Sequence, residues 1–151
     1  MQIQRAGVSD CETLSAIARA AKGYWGYPER WLALWREALT LTPEFVSENQ
    51  VHAAVERGEV LGFYALVVER ERARLEHLWV APEHIGKGVG RRLFEHGVAL
   101  AGSLGAASIE IDSDPNAEEF YLKLGARRVG ETSADRDGQL RVLPQMRFEL
   151  K

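Results

Sequence analysis

The 151-residue chain has a single cysteine, Cys11, so no disulfide can close within it, which suits a reducing compartment. That thiol, in a helical stretch, reads as packing rather than as a nucleophile. No run of about 18 apolar residues is present, which argues against a helical membrane span, and Met1–Arg5 leads into a folded pattern instead of a signal peptide. A cytoplasmic protein with no membrane partner is expected. Excess positive charge is lacking too: 19 Lys and Arg against 22 Asp and Glu leave a net charge of −3, so a long polyanion is repelled on average and no nucleic-acid partner is expected. No metal is assigned. At 46% hydrophobic residues, the chain can bury a core unaided, and one domain over residues 1–151 is expected.

What is present is a succession of periodic segments. Met1 to Ala6 alternates as a short edge strand. Ser9-Asp10-Cys11-Glu12 reads as a capping box with Ser9 at the N-cap, followed by the apolar stripe Leu14, Ile17, Ala18, Ala21 and a stop at Gly23. Pro28 opens a second helix through Leu39, and Thr42-Pro43-Glu44-Phe45 a capped turn or short helix. Val51–Glu56 and Val60–Val68 flank Arg57-Gly58-Glu59 as a hairpin, and Arg74–Val80 is a third strand. Gly88–Leu104 has the helical period, Ser108–Ile111 is a strand, and Asn116–Leu124 is a helix ended by Gly125. Ala126–Glu131 and Arg141–Leu150 are the last strands. An antiparallel meander feeding one strand-helix-strand crossover predicts a mixed α/β (α+β) sheet with flanking helices.

The strongest local signal is Ile85-Gly86-Lys87-Gly88-Val89-Gly90-Arg91-Arg92, between a strand and a long amphipathic helix. Alternate glycines let the backbone approach a ligand with no Cβ in the way. Unpaired N–H groups of the helix's first turn point at that ligand, and the positive end of the dipole favours an anion. Lys87, Arg91 and Arg92 add charge, so a pyrophosphate is the natural occupant. A Walker loop is excluded, because Gly86-Lys87-Gly88 lacks the Gly-Lys-Ser/Thr ending. A dinucleotide fingerprint fits poorly: Arg91 or Leu93 stands where the third glycine belongs, and a β-meander precedes the loop.

With Leu78-Trp79-Val80-Ala81-Pro82-Glu83 ahead of it, this loop resembles the GNAT superfamily of acyl-CoA-dependent N-acetyltransferases. The usual Arg or Gln before the first glycine is Ile85 here. A second stretch, Asp114-Pro115-Asn116-Ala117-Glu118-Glu119-Phe120-Tyr121-Leu122-Lys123-Leu124-Gly125, is similar to the family's second conserved segment. Its customary Asn, seven residues before the tyrosine, is replaced by Asp114, with Asn116 two residues later. The resemblance implies a GNAT-like fold of about seven strands, splayed between the fourth and fifth, with acetyl-CoA as cofactor. It places Leu78, Trp79, Val80, Ile85, Gly86, Lys87, Gly88, Val89, Gly90 and Arg91 against the cofactor, and Asp114, Asn116, Phe120, Tyr121 and Lys123 from the second segment. Backbone N–H groups at Leu78–Val80 would serve the oxyanion, and Tyr121 would be the acid toward the thiolate.

A lysine-like amine, of pKa about 10.4, arrives protonated and needs a base. Glu76 alternates with Leu78 and Val80 and is one candidate, directly or through water; a water chain without a single base is the other. His77 faces the opposite side and reads as core or surface. The family's acceptor wall falls on Lys22–Trp31, where Trp25 and Tyr27 are substrate-binding candidates, while Trp31 and Trp35 read as the buried face of the second helix. Ser133–Leu143, with Asp135, Arg136, Asp137 and Arg141, is a further candidate acceptor-facing loop. The expected function is acetyl transfer to a primary amine of a small molecule, peptide or protein in a ternary complex, with room for a homodimer. A catalytically weak acyl-CoA-binding sensor is the rival.

Overall fold

A computed structural model describes residues 1–136 and 138–151. The elements are β1 (Gln2–Arg5), α1 (Cys11–Gly23), α2 (Glu29–Trp35), α3 (Pro43–Glu48), β2 (Gln50–Glu56), β3 (Glu59–Glu69), β4 (Arg72–Val80), α4 (Val89–Ser103), β5 (Ser108–Asp112), α5 (Glu118–Lys123), β6 (Arg127–Arg136) and β7 (Gln139–Glu149). The strands form one seven-stranded sheet in the order β1-β2-β3-β4-β5-β7-β6. The β4–β5 pair is parallel, while β1–β2, β2–β3, β5–β7 and β6–β7 are antiparallel, which makes the sheet mixed as expected. Among the described residues the parallel register covers Arg72–Arg74 against Ser108–Glu110 and goes no further, although both strands continue. Pairing therefore lapses where the splay was expected. Among the described residues no helix is long and apolar enough to cross a membrane.

The chain divides into two compact units, residues 1–66 with 77–97, and residues 67–76 with 98–151. In the first, α1 and α2 lay Leu14, Ile17, Ala18, Trp31 and Trp35 on Val51, Ala53, Phe63 and Ala65, all within one buried cluster. Each such large side chain contributes on the order of 1.5–3 kcal/mol by leaving water. The period of two along β3 turns Phe63 and Ala65 to this cluster and leaves Tyr64 for the other face, where α4 lies: a Cβ added at Gly97 would meet the Tyr64 ring at 3.4 Å. Ser15 is buried yet satisfied, because its Oγ accepts the Leu41 N–H at 2.8 Å. The β2–β3 turn, Arg57-Gly58, has both φ angles positive (52° and 78°), the two-residue hairpin geometry that matches strand twist. In the second unit, β5 and β7 pair from Ser108↔Glu149 to Asp112↔Gln145 and bury Ile109, Ile111 and Met146.

Three local expectations are corrected. The N-terminal cap is made by Asp10, not Ser9: its Oδ2 accepts the Gly7 N–H at 2.8 Å over a 3₁₀ turn, Val8–Asp10, and α1 starts only at Cys11. Helix α2 stops at Trp35, four residues short of Leu39. The stretch Ser133–Leu143 is not a loop. Its described residues extend β6 and β7 into a paired hairpin through Ser133↔Val142 and Arg136↔Gln139, while Asp137 lies outside the described residues. The cap of α3 is as read, with Thr42 Oγ1 accepting the Phe45 N–H at 3.2 Å.

Candidate active site

In the first unit, Ala81 leaves β4 by giving its N–H to Leu61 O (2.9 Å), a 3₁₀ turn spans Pro82–His84, and the glycine loop then runs into α4. Gly86 and Gly88 have φ of +84° and +83°, and a Cβ at either would meet nothing within 4 Å. The left-handed backbone demands glycine, and the space above both residues is open to a ligand. Among the described residues, no backbone acceptor engages the N–H groups of Gly86, Lys87 or Gly88, and the first bond of the helix is Arg92 N–H to Gly88 O at 3.1 Å. Val89 is buried and pins the turn to the core. Lys87 and Arg92 form no ion pair among the described residues, whereas Arg91 is paired with Glu95 at 3.2 Å. A cleft of about 530 Å³ beside the loop has Lys87, Gly88, Arg91 and Arg92 in its wall, a size that suits a ligand site. Free amides, open space and two unpaired cations fit a diphosphate. Ile85 is exposed and gives the cradle no charge.

Leu78, Trp79 and Val80 are all half-buried. Trp79 packs against the apolar cluster, and its indole N–H is donated to His77 Nδ1 at 3.0 Å, which accounts for that histidine. Gly62 on β3 is what lets β4 come this close: a Cβ there would lie 2.6 Å from the Trp79 carbonyl oxygen. Farther along the unit, Trp25 is 43% exposed and edge-on to Tyr24 on the α1–α2 connection, with Gly26 at φ +79° beside it. Tyr27 turns inward, stacked on Trp31 and edge-on to Trp35, and those two tryptophans are buried as expected. Sequence reasoning passed over Lys22: its ammonium sits 4.3 Å from the Trp35 centroid and 5.1 Å from that of Tyr27, a cation–π clasp. A lysine next to an aromatic run was the signal. Glu59, Glu83 and His84 bring ligand-type atoms within 4.8 Å of one another, and a 3.0 Å His84–Glu59 contact accounts for two of the three.

In the second unit, Asp114 caps a 3₁₀ turn, Pro115–Ala117, by accepting the Asn116 N–H at 2.8 Å, and it also takes the Asn116 side-chain amide at 3.0 Å. Its other oxygen lies 3.8 Å from Arg141. Asp114 is thus occupied in shaping the turn, while Asn116 is exposed. Tyr121 on α5 is buried and edge-on to the half-buried Phe120, whereas Lys123 is exposed. Burial first, and then the Asp114 charge, push the Tyr121 phenol well above its ordinary 10.0, so it stays protonated at neutral pH. Glu76 is held by the Arg74 side chain, its neighbour two residues back on the same face of β4.

A glycine turn with open space above it heads a helix on a mixed sheet whose β4–β5 pair is parallel, an arrangement that fits a carrier bearing a diphosphate. The chain belongs to the GNAT acetyltransferase family, whose model matches residues 13–126. The peptidyl-lysine N-acetyltransferase YjaB of Salmonella typhimurium is 27% identical over 124 residues, covering 71% of this chain and 81% of that protein. A GCN5-related N-acetyltransferase from Rhodopseudomonas palustris shares the fold with a TM-score of 0.82 at 22% identity, over 98% of this chain and 94% of the other. The PaiA N-acetyltransferase of Thermoplasma acidophilum, solved with coenzyme A, has a TM-score of 0.76 at 20% identity over 98% of each chain.

Proposed function

We propose that residues 1–151 act as one N-acetyltransferase domain that moves an acetyl group from acetyl-CoA to a primary amine of a small molecule, peptide or protein. The observation that carries this reading is the diphosphate cradle at Gly86–Gly90 in a chain of the acetyltransferase family. Acetyl-CoA supplies the acetyl group already activated as a thioester. The cradle N–H groups hold its diphosphate with Lys87 and Arg92, and backbone N–H groups at Leu78–Val80 meet the developing oxyanion. The amine nitrogen bonds the carbonyl carbon as the C–S bond breaks; its proton leaves through water toward Glu76, and Tyr121 gives its proton to the sulfur. The phenolate left on Tyr121 is restored by a proton returned through water, which also carries the amine proton away from Glu76. The peptidyl-lysine acetyltransferase among the relatives makes a lysine side chain the first acceptor to try.

The test pairs calorimetric titration of CoA with an acetyl-transfer assay across lysine peptides and small primary amines, products being identified by mass. Saturable CoA binding with acetylated product is expected. Gly88→Glu, which sets a carboxylate on a left-handed backbone against the phosphates, should weaken CoA at least about 100-fold while the fold survives by circular dichroism. Binding without turnover on any amine would leave an acyl-CoA sensor, and unaltered affinity in Gly88→Glu would discard the cradle.

A further inference from the structure

Three ionisable rings meet between the sheet and the cradle helix, away from the residues given roles above. Tyr64 is fully buried in β3, and its Oη lies 2.7 Å from His96 Nδ1 on α4. His52, the cross-strand partner of Tyr64 on β2, stacks on the phenol with centroids 5.4 Å apart and planes 12° off parallel. The His52 and His96 rings are 5.1 Å apart. On the same side, α4 touches Tyr64 through Gly97, so helix backbone, phenol and both imidazoles form one packed group. His52 Nδ1 is buried with no hydrogen-bond partner among the described residues.

Both neighbours whose charge would oppose a proton on His52 are basic residues, His96 and Arg5. Arg5 is its partner across β1–β2, and among the described residues the guanidinium is bound by neutral oxygens alone, Gln50 Oε1 at 3.1 Å and Asn49 O at 2.8 Å. From β3 comes the neutral Tyr64 and from α4 comes His96, while Glu95, beside His96 in sequence, is engaged with Arg91. No carboxylate figures among the groups that set the His52 titration; burial, His96 and Arg5 together press it down from 6.5 to about 4. A proton on His52 Nδ1 would have no acceptor among the described residues, with the Arg5 guanidinium across the strand pair and the His96 ring 5.1 Å away. Parting α4 from β2 and β3 would relieve it, and the first turn of α4, seven residues before His96, is the cradle.

We propose that His52, Tyr64 and His96 are positioning residues that seat the cradle helix on the sheet, and that a proton on His52 unseats it and weakens CoA. This rests on the acetyltransferase reading, since it concerns the same cradle. Linkage makes the effect reciprocal: if protonated His52 weakens CoA, bound CoA must make His52 harder to protonate. The sign is diagnostic, because the anionic ligand acting only through its charge would raise the imidazole pKa.

The His52 Cε1–H resonance, assigned through contacts to the Tyr64 ring, is followed by NMR from pH 8 to 3 in the wild-type protein with and without saturating CoA. We expect CoA to lower the His52 midpoint by at least about half a pH unit, a roughly threefold coupling. A midpoint that stays put or rises overturns the inference while leaving the acetyltransferase reading intact; absence of CoA binding at pH 7.5 overturns both. In parallel, the loss of CoA affinity between pH 7.5 and 3.5 should be about twofold larger in wild type than in His52→Phe, which keeps a ring on Tyr64 but cannot be protonated. Equal losses would also sink the proposal, since the titration of CoA itself is common to both proteins.

Discussion

A phenol that is to hand its proton to a departing thiolate must still carry that proton when the C–S bond opens. Tyr121 meets this condition because its ring is buried and faces the charge of Asp114, both of which disfavour the phenolate. Removing the hydroxyl leaves the ring and its edge-on contact with Phe120 in place. Tyr121→Phe should therefore lower kcat by roughly 10²–10⁴-fold, the usual reach of general acid–base catalysis, with CoA affinity within about twofold of wild type. Stopped-flow release of CoA thiol, read beside a CoA titration, separates the two; a kcat within threefold of wild type would remove the acid role. The proposed acid can be named from the sequence because the tyrosine comes with a motif. Asp114 is half legible: its number follows from the motif, but only the folded turn shows the carboxylate spent on the Asn116 amides and facing Arg141.

At the scale of elements, the approach of β4 to β3 depends on one missing methyl. Gly62 would, with a Cβ, bring that carbon to 2.6 Å from the Trp79 carbonyl oxygen, 3.1 Å from Val80 Cα and 3.2 Å from Leu93 Cδ1. Two of those neighbours are backbone, so no side-chain rotation relieves the clash, and β4 must move at Trp79–Val80. Gly62→Ala should cost about 1–3 kcal/mol in urea unfolding, the ordinary range for overpacking. It should also impair turnover more than CoA binding, since the strand end shifts and the cradle need not. Wild-type stability and kcat in this variant would show that β4 adapts freely. Nothing local announces Gly62, because a lone glycine in a strand reads only as a weak strand former, and the need for it lies 17 residues away at Trp79. The glycine loop is the opposite case, where the requirement and the residues that meet it are contiguous. The β6–β7 hairpin is misread for a third reason: the polar run around Asp135 and Arg136 carries no apolar alternation, so the pairing with Leu140 and Arg141 is visible only in the fold.

For the whole molecule, protons the folded chain refuses in acid and retains in alkali bound its stability on the two sides. Below pH 6.5 the unfolded chain takes up a proton at His52 that the folded chain declines until about pH 4, so unfolding binds protons and stability falls as the pH drops through that window. The loss amounts to roughly 3 kcal/mol at most, and less once the screening of a partly exposed ring is counted. On the alkaline side the sign reverses. Burial raises the phenols of Tyr64 and Tyr121 above 10.0, so above that pH the unfolded chain releases protons the folded chain keeps, and stability falls as the pH rises. Burial also raises the Cys11 thiol above its ordinary 9.0, so the thermal midpoint should be flat from about pH 7 to 8.5 and decline on either side. His52→Phe should flatten the acid limb alone, and Tyr121→Phe should make the alkaline limb shallower alone, both by calorimetry across pH. An alkaline slope unchanged in Tyr121→Phe would mean that the phenol ionises as freely folded as unfolded. In that event it would not be the dry, proton-retaining acid that the chemistry at sulfur requires, and the stability measurement would count against the mechanism before any turnover was assayed.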